Sequence, residues 1–163
     1  MKKEDERKLA RKIVRGVAKE FRSRGFLHAK PTFLVRPLGR FAHFLHFHKF
    51  SAGPRFRLHL GVRVMNDPFV AVALNGPSFE RAGTFGPDEE QSLACTRQLI
   101  ALIEKEALPW FSTLVKEDDL FTSPISPLQE RDRLALREDL SGSPSDLSWK
   151  RSRTLLGVAD EKA

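Results

Sequence analysis

The chain has 163 residues, a mean hydropathy of −0.36 and a net charge of +7, enough length for one self-supporting core and too little for two large domains. A single cysteine, Cys95, excludes an internal disulfide framework and fits a reducing cytoplasm. No apolar run approaches the roughly 20 residues that cross a bilayer, and the charged start MKKEDERK leads into a helical pattern rather than the apolar stretch of a secretory signal.

Charge is divided unevenly along the chain. Residues 1–64 hold 17 of the 28 Lys/Arg and 4 of the 21 Asp/Glu, so the net charge is +13 there and −6 in the rest. Such a split points to an anionic partner for the first part. The competing expectation is that the halves neutralise each other across the fold, or that a basic helix face is simply solvated.

Residues 4–24 read as an amphipathic helix. Leu9, Ile13, Val17 and Phe21 recur every fourth residue, and Lys8, Arg11, Lys12, Arg15, Lys19 and Arg22 fill the other side. Gly25 stands where a left-handed C-cap belongs, with Phe26 as the apolar residue that closes it. Gly16 inside the helix costs about 1 kcal/mol relative to Ala and suggests a close approach to the sheet.

Residues 31–36 form a short strand, placed at an edge because Pro31 opens it. The segment 41–64 carries the strongest pattern in the chain. Phe56, Leu58, Leu60, Val62 and Val64 alternate with Arg55, Arg57, His59, Gly61 and Arg63, a period of two that marks a strand with one buried face. Turning at residues 51–54, this strand faces residues 41–50 so that Phe47 opposes Leu58, Leu45 opposes Leu60, His46 opposes His59 and Arg57 opposes His48. A slip by one residue would send the apolar set to the wrong face, which fixes the register.

A turn at residues 65–68 then predicts a fourth strand over 69–74. A two-residue loop would turn Phe69, Ala71 and Ala73 inward; a three-residue loop, favoured because it buries the branched residues, turns Val70, Val72 and Leu74 inward. A Gly- and Pro-rich loop leads to a helix over 87–107, whose first turn carries Pro87, Asp88, Glu89 and Glu90. Its inward side is read as Leu93, Thr96, Leu99, Ile100, Ile103 and Ala107. Pro109 ends it, and Trp110, Phe111 and Leu114 fold back onto the core. The expected fold is α+β: a four-stranded antiparallel β-meander with both helices on its apolar face. Leu9, Ile13, Val17, Phe21, Leu45, Phe47, Leu58, Leu60, Val62, Ile100 and Ile103 form the core. Residues 1–121 make this domain, and 122–163 a Ser/Pro-containing, weakly helical extension.

The order of short motifs around the hairpin resembles an uncharacterised group, domain-of-unknown-function family 4304. The residues that carry the likeness are Gly25-Phe26, Phe33 with Arg36, His46-Phe47-His48-Lys49, and Phe56 to Val62, within a span of roughly Leu9 to Leu114. His46, His48 and His59 stand where that family usually has amides. The resemblance implies the same α+β fold and supplies no activity.

Function is read from the face opposite the core. Phe44, His46, His48, Phe50, Arg55, Arg57, His59 and Arg63 fall there together. The first reading is a non-enzymatic binding module that holds a protein or other macromolecule on this face. An alternative is single-stranded nucleic acid, with bases on the rings and phosphates on the cations. A further alternative is a metal site of His46, His48 and His59, opposed by Arg55, Arg57 and Arg63 and by the absence of any Asp or Glu between residues 21 and 66. No nucleophile elbow, zinc-protease helix, phosphate loop or dinucleotide glycine pattern occurs. Cys95 falls inside a predicted helix as a structural thiol, and the sequence calls for no cofactor.

Overall fold

The computed structural model describes residues 1–159. Helix α1 (Lys3–Phe21) tightens into a single 3₁₀ turn (Arg22–Arg24) and stops at Gly25, whose φ of 85° is the left-handed cap. The Phe26 amide donates back to the Phe21 carbonyl, and the Phe26 ring is buried. Five strands follow: β1 (Leu27–Lys30), β2 (Phe33–Pro37), β3 (Phe41–Lys49), β4 (Arg55–Val64) and β5 (Ser78–Thr84). They form one antiparallel sheet in sequence order, β1-β2-β3-β4-β5. The expected hairpin register is present: Phe47 opposes Leu58, Leu45 opposes Leu60, His46 opposes His59, and His48 opposes Arg57.

The sheet has five strands rather than four, and they are not all the expected ones. Residues 69–74 form no strand, because their place beside β4 is taken. The Asn75 side-chain amide bonds both the amide and the carbonyl of Val62, at 3.0 and 2.9 Å, as a paired strand residue would. Gly76 donates to the Leu60 carbonyl, the Leu60 amide donates to the Pro77 carbonyl, and β5 continues from there. The apolar run 69–74 is left to loop over the sheet, with Val70 70 % exposed. Pro31 precedes β2 as expected, but β1 pairs outside it, so the edge is β1.

The first face of the sheet packs under helices. Ile13, Val14, Val17 and Phe21 of α1 meet Leu34, Leu45, Phe47, Leu58 and Leu60, with Cys95, Leu99 and Ile103 from α2 (Glu89–Leu102) and the π turn that follows. The Asp88 side chain caps α2, accepting from the Gln91 amide at 2.7 Å. The inward stripe of α2 is Ser92, Cys95 and Leu99, while Leu93 is exposed. Gly16 makes its close approach to Thr96 of α2 rather than to the sheet. Pro109 does not end the helical run. The chain widens into a π turn (Ile103–Ala107), where Leu108 donates to the Ile103 carbonyl, and continues as α3 (Leu108–Ser112) with Pro109 in its first turn, where no amide is needed.

Beyond α3 come α4 (Glu117–Thr122), α5 (Glu130–Leu140) and α6 (Asp146–Leu156). Leu114, Leu120, Leu128 and Leu136 extend the first-face core over Phe41, Val62 and Val64. Helix α6 crosses to the other face, where Leu156 and Trp149 meet Val35, Ala42, Phe44 and Met65. Both faces are therefore packed at the end of the sheet where β4 finishes.

Candidate functional site: the open half of the second face

Of the eight residues expected on the second face, the structure seals two. Phe44 is fully buried beneath α6, with its ring over Gly61 across the strand. Arg63 is 2 % exposed and donates four hydrogen bonds, to Ser152 Oγ at 2.9 Å and to the carbonyls of Asp67 (2.9 Å), Phe69 (2.9 Å) and Ala71 (2.8 Å), and it forms an ion pair with the Asp67 carboxylate at 3.4 Å. Through these four hydrogen bonds it is a structural staple that ties α6 and the 67–71 loop to β4. The sequence placed Arg63 on the correct face and gave no sign of this cover, because α6 docks through Ser148 and Ser152 as well as through apolar groups.

The other six residues share the open half, toward the hairpin turn. His46 and His59, opposed across β3 and β4, stack with ring centroids 5.8 Å apart and planes 16° from parallel. His48 lies 6.3 Å from His46 and meets the edge of Phe50 at 5.6 Å. The guanidinium groups of Arg55 and Arg57 lie over the Phe50 ring, 4.7 and 4.8 Å from its centroid. Phe33, which sequence reasoning did not place here, extends the row by packing 4.6 Å from His46. Its signal was available in the pairing parity of β2 with β3, where Phe33 opposes His46. Among the described residues, Glu80 is the carboxylate that reaches this half of the face, accepting from Arg57 at 2.9 Å.

The electrostatics of the ring row follow from its packing. Burial, reinforced by the neighbouring His59 and His48, lowers His46 to about 4. Burial and then the adjacent Arg57 and His48 lower His59 as well. At neutral pH these are uncharged, flat, polar surfaces. His46 Nδ1 is buried without a hydrogen-bond partner among the described residues.

The imidazoles do not converge on a point. Stacked rings direct their in-plane lone pairs side by side, and among the described residues no group of three His, Cys, Asp or Glu side chains is placed to hold a metal ion. Cys95 is fully buried behind Gly83, and desolvation pushes its thiol up to about 12, which suits a packing role.

His43 lies on the opposite face and was singled out by no sequence pattern. It is fully buried, stacked 4.4 Å from Phe111, and held between Leu114 O (2.7 Å) and Arg36 Nη2 (2.9 Å). A guanidinium only donates, so Nδ1 accepts and the proton sits on Nε2, donated to Leu114. Burial is the main cause that brings His43 to about 4. This histidine fastens the α3 segment to the sheet.

The charge split is resolved differently in the two kinds of element. Arg40, Arg57 and Arg63, all from the sheet region, pair with acids of the second part of the chain. The exposed cations of α1 reach none of those acids among the described residues; within the helix Lys8 pairs with Glu4, while Glu6 pairs with Lys49. Neutralisation across the fold therefore stops at the sheet. No helix among the described residues is long and apolar enough to cross a membrane. No family model matches the chain, and the comparisons with curated proteins and with solved structures gave no match.

Proposed function

We propose that the protein is a non-enzymatic binding module that holds a macromolecule on the open half of its second sheet face. One observation carries the reading: a row of rings and guanidinium groups, His46, His48, Phe50, Arg55, Arg57 and His59, left uncovered where the rest of that face is sealed by α6. Rigid rings and arginines are the side chains that concentrate binding energy at macromolecular contacts. Among the described residues the row has no carboxylate beside an imidazole and no accessible thiol, and its rings and guanidinium groups present contact surface. Kinship with domain-of-unknown-function family 4304 belongs to the same proposal and is supported by the motif order from Gly25-Phe26 to Val62.

Capture from a lysate of its own cells tests the reading, using the parent chain and the double variant Arg57→Glu/His59→Asp. The variant should keep the parent's thermal unfolding and lose partners that the parent recovers. Equal recovery of every partner by both would remove this face as the binding surface.

A further inference from the structure

The cations of α1 that flank the sheet edge form a continuous track. Arg7, Arg11 and Arg15 follow one another at four-residue steps and Arg22 continues the line, while β1 supplies His28 and Lys30 from the facing side. Two adjoining clefts share Arg15 and His28, and a third begins one helical turn further on, at Arg7 and Lys3. No Asp or Glu lines any of the three. Among the described residues Lys3, Arg7, Arg11, Arg15 and Arg22 make no ion pair. From Lys3 to Arg22 the track runs roughly 28 Å at 1.5 Å per residue. Like charges held in line over that distance repel one another and attract a polyanion.

The character of the polyanion is set at one end. The cleft at Lys3 and Arg7 is also lined by His46, His48 and Phe50, so the track of cations runs into the open ring row. Phosphates neutralise cations, and flat bases stack on exposed rings; a duplex hides its base faces, whereas an unpaired strand presents them. We infer that α1 and the β1 edge guide the backbone of a single-stranded nucleic acid, whose bases stack on His48 and Phe50. This rests on the open face being a binding surface, and it names the class of partner.

The test is fluorescence anisotropy of the full chain with labelled single-stranded DNA and RNA of about 12 nucleotides, within the span that one small domain occupies. A duplex of equal length and inorganic polyphosphate serve as comparators, each across a salt series. The single strands should bind more tightly than the duplex, with log affinity falling against log salt by about 0.7 per phosphate contact. Arg11→Glu/Arg15→Glu should weaken binding by at least about tenfold and flatten that slope by about two contacts. Phe50→Ala should weaken the oligonucleotide by about tenfold and leave polyphosphate binding unchanged. All these residues lie outside the core, and unchanged thermal unfolding of each variant would show that it remains folded. Absence of oligonucleotide binding at low salt overturns the inference. Binding that needs Arg11 and Arg15 but is indifferent to Phe50 and to base pairing also overturns it, leaving a merely basic surface. A partner captured from lysate through Arg57 and His59, with no oligonucleotide bound, would sustain the binding-module reading and remove this one.

Discussion

Arg57 and Arg63 stand on the same strand and the same face of the sheet, six residues apart, and meet opposite fates. Arg63 is closed in by α6 and the 67–71 loop, with each of its three nitrogens donating a hydrogen bond. Arg57 is half-buried, pairs with a Glu80 side chain that is 73 % exposed, lies over Phe50 and leaves its Nε without a hydrogen-bond partner among the described residues. A guanidinium becomes structural when backbone carbonyls surround it and remains available when only rings and one exposed carboxylate do. The difference is made by the 66–77 segment. Where it crosses the second face it supplies carbonyls; where it pairs with β4 it stays in the plane of the sheet and leaves the face bare.

Three measurements break or sharpen this contrast. The largest effect is expected for Arg63→Met, which leaves three loop carbonyls and Ser152 without their donor in a buried site, while the Asp67 carboxylate keeps Arg131 and the Phe69 amide. A loss of about 3–5 kcal/mol in urea unfolding is expected, together with release of α6, reported by Trp149 fluorescence. A loss below about 1 kcal/mol would mean that Arg63 is no staple.

Next in size is the response to acid. His43 and His46 are both brought to about 4, and the unfolded value of an imidazole is about 6.5. The unfolded chain therefore binds more protons between those values; stability is complete above about pH 6.5 and is lost as pH falls toward 4. His43 dominates, and the expected loss is about 2–3 kcal/mol, with His46 adding less because solvent reaches it. Asp132, whose carboxyl is raised by burial and by the neighbouring Asp67, works in the opposite direction and trims the loss. Urea unfolding at several pH values, with the imidazole resonances followed by NMR, checks both parts. A His43 ring that titrates near 6.5 would contradict its sealed position.

The smallest effect is expected at the open end. Arg57→Ala removes one half-exposed ion pair and one cation–ring contact, and should cost less than about 1 kcal/mol. An unfolding curve that shifts as far as that of Arg63→Met would show that the two arginines do not differ in role.

The hairpin was legible because two signals agreed. The alternation over 55–64 chose the face and the turn at 51–54 chose the register, so every opposed pair from Leu45–Leu60 to His48–Arg57 follows from the sequence. The strand expected over 69–74 failed for a reason no local pattern shows. A run such as Phe69 to Leu74 needs an unoccupied partner edge, and Asn75 had already filled it with a side chain. The true fifth strand, Ser78–Thr84, contains Gly83 and places few apolar residues inward, so it has little periodicity to find. Inside α2 the stripe was read about one residue out, since Ser92 and Cys95 take inward positions that a hydrophobicity count assigns to Leu93 and Thr96. At the site, the ring row was visible and its cover was not. Arg63 and Ser152 meet across 89 residues of chain, and neither has a local signature of burial.

That separation bears on the order in which the molecule assembles. A meander whose neighbouring strands are also neighbours in sequence closes short loops, and short loops close quickly. Helix α6 must instead return across 89 residues of chain to reach β4, and it leaves the ribosome after the sheet does. The sheet and α1 thus have their parts available for pairing while Arg63 still faces water. Until α6 docks, the second face of the sheet is wider and more basic than in the finished protein, and the docking of α6 trims that face to its final extent.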